Sequence, residues 1–153
     1  MQTEFTLNHD SVILFNGDPV VIIKAQGLCV PIRIGLPEAH AIQCELAGHE
    51  TLRPSTHDLV KNLLIELDAP VVRIAITEFR KGIYSASLFI EKDGAERFLD
   101  CRPSDAIALA LRFGAPMFIE EDVLLKSLDD DDVKVLLEYV EKMIPSAMHE
   151  PGT

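Results

Sequence analysis

The stretch DCRPSDAIALALRFGAP, Asp100 to Pro116, decides how this chain is interpreted. Its second half is apolar at almost every position, a pattern typical of a helix that is buried on all sides. Its first half gathers four polar side chains around Pro103, namely Asp100, Arg102, Ser104 and Asp105. We therefore predict a buried helix over residues 103–113, ended by Gly114, whose polar N-terminus is either a well-made cap or a functional site.

The elements before this helix form a pattern that occurs twice. Apolar runs separated by turn residues predict one three-stranded antiparallel meander over residues 71–77, 83–91 and 95–101, and an earlier one over residues 11–15, 20–24 and 28–34. Pro31 places the third run of the earlier meander at a sheet edge or bulge. The sequence therefore predicts an α+β fold of two such meanders, each followed by helices, consistent with internal duplication and built as two sheets or one continuous sheet with helices outside.

Two helices follow the earlier meander. The first begins near Pro37 and ends at Gly48, and the second begins at Ser55 or Thr56 and ends before Pro70. The second helix carries an apolar stripe at 3.6-residue spacing, formed by Leu59, Val60, Leu63, Leu64 and Leu67.

The chain after Gly114 predicts a brief strand over residues 117–119, a helical turn over 120–125 and an amphipathic helix over 129–144. That last helix starts with four carboxylates and has the apolar stripe Val133, Leu136, Leu137, Val140 and Ile144. We expect it to dock on its own domain, with an oligomer contact as the alternative. The predicted division is a domain over residues 1–125 and an acidic C-terminal helix and tail over residues 126–153.

Composition limits the function. The chain has 153 residues, 48% of them hydrophobic, and no apolar run that approaches the ~20 residues of a membrane span. The N-terminus lacks the features of a secretion signal, so we expect a cytoplasmic protein without a membrane partner. Three widely separated cysteines argue against a disulfide framework and a structural zinc site, and we expect Cys44 and Cys101 to be small core residues.

The net charge is −11, which opposes phosphate binding. The acid is concentrated towards the C-terminus, because residues 114–153 hold ten acidic and three basic side chains. The rest of the chain still has no Lys/Arg cluster, so a strong groove for duplex nucleic acid is not expected.

The segment RPSTHDL, residues 53–59, has both a structural and a functional interpretation. Ser55 and Asp58 have the spacing of a capping box, which alone explains Asp58. His57 borders the apolar stripe at the start of the helix. A half-buried histidine there is either a structural residue or a ligand or proton carrier.

Arg102 leaves a similar choice open. Ser104 or Asp105 can cap the helix that follows, but Arg102 stands between a strand and a buried helix, where it needs a carboxylate or a phosphate as partner. The structural interpretation is a salt bridge to Asp100 or Asp105, and the functional one is phosphate binding.

Glu38, His57 and Asp105 each lie at the N-terminus of a predicted helix. Equivalent ends of a duplicated unit tend to meet, so we expect these side chains to converge. Two carboxylates and an imidazole are able to bind a divalent cation such as Mg²⁺.

Three motifs occur in an order that resembles the bifunctional nuclease (DNase/RNase) domain family. They are PIRIG at residues 31–35 followed by Glu38-Ala39, RPSTHDL at 53–59, and RPSDAIALAL at 102–111 followed by GAP at 114–116. The resemblance extends over about residues 5–125. Arg33 departs from it, because the family usually has an aromatic residue there; a cation at that position binds phosphate or is simply an exposed strand residue.

The resemblance implies a small cytoplasmic α+β domain, often dimeric, with nuclease activity on RNA and DNA in some members. It implies site positions at Glu38, Arg53, His57, Asp58, Arg102, Ser104 and Asp105.

We therefore predict metal-assisted hydrolysis of RNA or DNA. Glu38 and Asp105 would hold Mg²⁺ or Mn²⁺, His57 would be the general base or orient water, and Asp58 would complete the catalytic set with Asp105. Arg53, Arg102 and Ser104 would bind the phosphate. Without a basic groove, binding should be weak, salt-sensitive and directed to short or single strands. The alternatives are a non-catalytic binding or dimeric assembly module whose polar motifs are caps and salt bridges, and a site for a nucleotide or other small phosphoester.

Overall fold

The computed structural model describes residues 1–143, which form eight strands and five helices. In chain order the elements are β1 (Gln2–Phe5), β2 (Val12–Phe15), β3 (Asp18–Ala25), β4 (Leu28–Arg33), α1 (Leu36–Ala47), α2 (Thr56–Glu66), β5 (Val71–Arg80), β6 (Ile83–Lys92), β7 (Ala95–Cys101), α3 (Pro103–Phe113), β8 (Met117–Glu120), α4 (Glu121–Leu128) and α5 (Asp131–Met143).

The strands form two separate sheets, so the α+β prediction with two antiparallel meanders is confirmed. The first sheet has the order β2-β3-β4, and the second has the order β1-β8-β5-β6-β7. Pro31 lies in β4 opposite Ile22 of β3, and β4 is an edge strand, as the missing N–H of proline requires.

The second sheet is larger than the predicted meander. β8 runs parallel to β5, with Ile74 opposite Met117, and β1 pairs antiparallel with β8, with Gln2 opposite Glu120. The sequence gives little sign of these pairings because both added strands are four residues long and their partners are distant in the chain.

The hairpins depend on residues that tolerate left-handed backbone. At the turn between β5 and β6, Lys81 and Gly82 have φ angles of 52° and 79°. Two consecutive positive φ angles belong to a type I′ turn, whose twist matches that of the flanking strands. This turn holds the tip of the β5–β6 hairpin beside the N-terminus of α3, where both contribute to one cleft.

Helix α3 is buried as predicted. Ala106, Ile107, Ala108 and Ala110 are fully inaccessible and belong to a core cluster that joins α3 to α1, α4 and both sheets. Because small side chains occupy much of its surface, neighbouring backbones can approach α3 closely. The N-terminus of α3 is therefore fixed by the core.

Strand β3 is buried on both faces. Val21 and Ile23 enter the main core, whereas Val20 and Ile22 point the opposite way and pack against α5. Leu136 and Val140 of α5 cover that face, so the predicted docking of the last helix is confirmed. Ile144, which we placed on the same stripe, lies outside the described residues.

Helix α2 differs from the prediction. None of its residues is fully buried, and Leu59 and Leu63 are about half exposed at 54% and 52%. Only Val60 and Leu64 pack against the core, because α2 lies on the surface beside α3 and turns one narrow edge inwards. Part of the predicted apolar stripe therefore faces outwards.

The positions of the cysteines also differ in part from the prediction. Cys101 packs against the core, as expected, and burial raises its pKa to about 11. Cys44 is only half-buried and contacts His40 Nε2 at 3.5 Å, so its assignment as a core residue is wrong. Within residues 1–143, no helix combines the length and the apolar character that crossing a membrane would require.

Candidate active site

The first turns of α1, α2 and α3 meet at one place on the surface. Glu38 is in the first turn of α1, His57 is the second residue of α2, and Asp105 is in the first turn of α3. Their side chains are joined in one hydrogen-bonded network through Arg102. The predicted convergence of these three residues is therefore present in the folded chain.

Arg102 is the centre of this network. Its Nη2 donates to Glu38 Oε1 at 2.9 Å and to Asp105 Oδ1 at 3.2 Å, and its Nε donates to Asp105 Oδ2 at 2.8 Å. The salt bridge to Asp105 was one of our two interpretations of Arg102, and the bridge to Glu38 adds to it. Nη1 of Arg102 makes no hydrogen bond within residues 1–143, and the side chain is 64% exposed, so the guanidinium can still receive an anion.

His57 completes the network on the other side of Asp105. Its Nε2 donates to Asp105 Oδ1 at 2.9 Å, and the imidazole is only 14% exposed. With the proton on Nε2, the neutral ring carries its lone pair on Nδ1. Nδ1 has no hydrogen-bond partner among the described residues and is available to accept a proton.

The network keeps Asp105 ionised. Burial alone would raise its pKa, but hydrogen bonds from Arg102 and His57 hold that pKa below its ordinary value. Hydrogen bonds to Asp105 and Glu38 raise the pKa of Arg102 in turn. Asp105 is thus a poor general base at neutral pH and well suited to orienting His57.

Asp58 occupies a neighbouring but different position. Its Oδ2 accepts from the Ser55 backbone N–H at 2.8 Å, which forms the predicted capping box of α2. Its Oδ1 accepts from Arg112 Nε at 2.8 Å. The Ser55 backbone bond, then the Arg112 bond, lower the pKa of Asp58. Both oxygens are engaged in holding helices together.

Capping of α3 differs from the prediction. Arg102 is the N-cap residue and Pro103 the first helical residue, and no side chain caps the helix. Ser104 and Asp105 cannot be caps because the helix begins before them and they lie inside its first turn. The side chain of Asp105 is consequently free to pair with Arg102 and His57.

An open cleft of about 490 Å³ lies beside the network, and we call it the His57 cleft. The pairing of the polar side chains has not filled it. Its lining includes all four members of the network, and also His40, Cys44 and Thr51, which our reading of the sequence did not select. No pattern in the sequence distinguishes those three residues, since they reach the cleft only through the packing of α1 against α3.

Two predicted site residues lie elsewhere. Arg53 is exposed in the loop before α2, and its side chain makes no hydrogen bond or ion pair to the described part of the chain. Ser104 is 95% buried and lines a second cleft, which Arg102 also lines. The network therefore contains Glu38, His57, Arg102 and Asp105, but not Arg53, Asp58 or Ser104.

Arg112 is a structural residue that we did not assign. Its side chain is only 3% exposed, and Nη1 donates to the carbonyl oxygens of Ala41 at 3.2 Å and Ala108 at 3.0 Å. Together with the bond to Asp58 this ties α1, α2 and α3 together. The sequence does contain a signal for this role, because Arg112 is a charged residue two turns after Asp105 on an otherwise apolar helix.

The predicted metal ligands do not form a ready-made cation site. Glu38 and Asp105 both accept hydrogen bonds from the same guanidinium, whose positive charge lies where a cation would have to bind. Within residues 1–143, no three His, Cys, Asp or Glu side chains are arranged to hold a metal ion.

Comparison with known proteins gives a consistent result. The family model described as the bifunctional nuclease domain matches residues 20–130, a segment that contains the whole network. Uncharacterized protein Rv1829 and Uncharacterized protein MT1877, from Mycobacterium tuberculosis strains ATCC 25618 / H37Rv and CDC 1551 / Oshkosh, are each 37% identical over 111 residues. That alignment covers 71% of this chain and 66% of either relative, slightly less than two thirds of their length.

A plant protein is more distantly similar. Bifunctional nuclease 1 of Arabidopsis thaliana is 26% identical over 109 residues, which cover 67% of this chain and 34% of the plant protein.

Proposed function

Because the chain belongs to the bifunctional nuclease domain family, we propose that it hydrolyses phosphodiester bonds in RNA, DNA or both. One observation carries the proposal: His57, Asp105, Arg102 and Glu38 form a single network beside an open cleft. A base that activates the nucleophile, a group that orients that base and a cation for the phosphate are three of the parts that such a reaction uses.

In the proposed reaction His57 is the general base. Its Nδ1 takes a proton from the attacking water while Asp105 holds the ring through Nε2. The water oxygen bonds to phosphorus, the bond from phosphorus to the leaving ester oxygen breaks, and solvent water protonates that oxygen. For RNA, the 2′-hydroxyl of the substrate is an alternative nucleophile for the same base. Asp105 acts as a positioning residue because its lowered pKa keeps it ionised.

Arg102 binds the phosphate through its free Nη1. Negative charge increases on the phosphate oxygens as the bond to the nucleophile forms, and a fixed guanidinium stabilises that charge. Glu38 holds the guanidinium in place by its hydrogen bond to Nη2. We keep Arg53 as a more distant phosphate contact, since an exposed arginine before α2 can reach a strand that extends beyond the cleft.

A requirement for Mg²⁺ or Mn²⁺ stays a prediction. The arrangement of Glu38 and Asp105 argues against a preformed site, because Arg102 occupies one oxygen of Glu38 and both oxygens of Asp105. No step of the proposed reaction depends on the ion. Measuring the activity with Mg²⁺, with Mn²⁺ and with a chelator tests whether the reaction requires the ion.

The substrate should be bound weakly. The net charge of −11 repels a polyanion, and Arg102 is the main cation of the His57 cleft that faces solvent. Short or single strands that present one phosphate at a time suit such a site better than duplexes. A nucleotide or other small phosphoester would satisfy the same contacts.

A non-catalytic assembly module is the second candidate. It is favoured by the fact that the polar motifs do form a cap and salt bridges, and by the apolar residues that α2 leaves on the surface. In that case the network only fixes the helices, and the chain associates as a homodimer.

The test is cleavage of single-stranded RNA and DNA oligonucleotides by the wild type, Asp105→Asn and Asp100→Asn. Asp105→Asn should lower the rate by about 100-fold, because it removes the charge that orients His57. Asp100→Asn makes the same chemical change on an exposed carboxylate at the end of β7 and should leave the rate unchanged. Equal rates for wild type and Asp105→Asn would refute the proposed function.

A further inference from the structure

A second cleft, of about 470 Å³, is also lined by Arg102 and shares no other lining residue with the His57 cleft. We call it the Arg33 cleft. It is formed by the end of β4, the tip of the β5–β6 hairpin, the N-terminus of α3 and the start of α5. Arg102 lines both clefts, so they adjoin at the residue that we propose to bind phosphate.

One end of the Arg33 cleft is built for an anion. The first backbone hydrogen bond of α3 runs from the Ala106 N–H to the Arg102 carbonyl, so the preceding N–H of Ser104 has no partner in the helix. Ser104 itself is 95% buried, lines the cleft and makes no side-chain hydrogen bond to the described residues. A hydroxyl without a protein partner among residues 1–143, on a residue that is 95% buried and at an uncapped helix N-terminus beside a guanidinium, offers donors that a phosphate oxygen would accept.

The wall of the cleft is apolar and partly aromatic. Phe79 and Tyr84 lie side by side on it with ring centroids 4.5 Å apart, and Ile83 at the hairpin tip is 69% exposed. The two rings are tilted by 42° and partly exposed, and exposed aromatic surface of this kind binds nucleobases by stacking when the base is unpaired.

The charges on the rim limit the occupant. Arg33 and Arg102 are balanced by Asp18, Asp130 and Asp132, and Arg33 lies 3.7 Å from Asp18. A run of several phosphates would meet these carboxylates at close range. A single phosphate at the Ser104 end, followed by its nucleoside, brings only one phosphate group into the cleft.

We propose that the Arg33 cleft binds one unpaired nucleoside of a single-stranded nucleic acid, with its phosphate at Ser104 and Arg102 and its base against the Phe79–Ile83–Tyr84 wall. The substrate would then cross Arg102 from one cleft to the other. This inference rests on the proposed function, since it takes the scissile phosphate to be at Arg102.

The test measures binding by fluorescence anisotropy with a labelled phosphorothioate dC hexamer, which resists cleavage. Ile83→Glu places a carboxylate on the apolar wall at an exposed position and should weaken binding about tenfold. Leu125→Glu makes a comparable change on α4, where Leu125 is 54% exposed and lines neither cleft, and should bind like the wild type. CMP should displace the hexamer at lower concentration than inorganic phosphate does.

Unchanged binding by Ile83→Glu, or equal competition by CMP and inorganic phosphate, would overturn the inference. Hydrolysis is measured separately, which keeps the two proposals apart. If the wild type cleaves RNA or DNA and Ile83→Glu binds the hexamer normally, the proposed function is retained and the nucleoside site in the Arg33 cleft is refuted. If the wild type cleaves neither RNA nor DNA but Ile83→Glu weakens hexamer binding, the nucleoside site in the Arg33 cleft is retained and the proposed hydrolysis is refuted.

Discussion

The ion pairs of Arg102 do not by themselves explain why an arginine occupies this position. The side chain is 64% exposed, and ion pairs of exposed residues contribute only about 0–1 kcal/mol to folding. Its hydrogen bonds nevertheless fix two carboxylates and one free nitrogen in a definite geometry. The network therefore contributes modestly to stability, and its fixed nitrogen, which is unpaired within the described residues, supports the proposed binding of phosphate.

Gly35 keeps the Glu38 side of the network in place. It has φ of −77°, which any residue adopts, yet a Cβ at this position would overlap Glu38 Oε2. Gly35→Ala should therefore push the Glu38 carboxylate away from Arg102 and lower the free energy of unfolding by about 1 kcal/mol, as overpacking does. Urea denaturation measures the change.

The control for that experiment is the Glu38→Ala background. If the overlap is with the Glu38 side chain, Gly35→Ala should cost less there, because only the preference for glycine over alanine at the N-cap of α1 remains, and the double-mutant cycle gives the difference as a coupling energy. Equal destabilisation in both backgrounds would contradict the assignment.

The acid stability of the protein should depend on Asp105. Burial opposes its ionisation, but Arg102 and His57 hold its pKa below the ordinary value. A lowered folded-state pKa gives stability that is complete above the unfolded pKa of about 3.9 and is lost as pH falls through the folded value. The free energy of unfolding of Asp105→Asn should therefore fall less than that of the wild type between pH 5 and pH 3.

The measurement is urea denaturation across that pH range. Asp100→Asn is the control and should follow the wild-type curve, because the exposed side chain of Asp100 makes no hydrogen bond to the described residues. A parallel fall for Asp105→Asn and the wild type would show that the network does not act on the stability of the folded state.

At the scale of the elements, the three helices are positioned by one buried guanidinium. Arg112 donates to Asp58 at the start of α2, to the Ala41 carbonyl in α1 and to the Ala108 carbonyl in its own helix. The capping box of α2 and the buried helix α3 are thus linked, which fixes the distance between His57 and Asp105.

Arg112→Met should separate α2 from α3. It fills similar volume but leaves Asp58 and two carbonyl oxygens without their donor, and should lower the free energy of unfolding by about 2 kcal/mol. Lys126→Met, which removes the exposed pair with Asp122 at 3.8 Å, should change it by about 0.3 kcal/mol. Similar values for the two variants would mean that Arg112 does not hold the helices together.

At the scale of the molecule, the leucines that α2 leaves exposed are the surface on which we expect the predicted homodimer to form. Leu59, Leu63 and Leu67 are 54%, 52% and 61% exposed on one helix, an arrangement that normally packs against something. Leu63→Glu should therefore shift sedimentation velocity from dimer to monomer. Val135→Glu, at a residue of α5 that is 53% exposed, should not. A monomeric wild type would refute the dimer.

The local elements were predictable because their signals lie within a few residues. Hairpin turns such as Lys81-Gly82, the capping box of Ser55 and Asp58, and the apolar sequence of α3 each specify structure without reference to distant parts of the chain. The family also follows from the sequence, since three ordered motifs identify it.

Tertiary structure alone decided how these parts combine. The pairing of β8 with β1 and β5, the outward-facing leucines of α2 and the separation of Ser104 from His57 depend on contacts between residues far apart in the chain. The largest difference between what the sequence predicts and what the structure shows concerns the partners of Arg102. The sequence by itself determined that it needs an acidic or phosphate partner, but only packing of α1 against α3 could bring Glu38 to it, because a hydrogen bond requires a distance that no spacing in the sequence specifies.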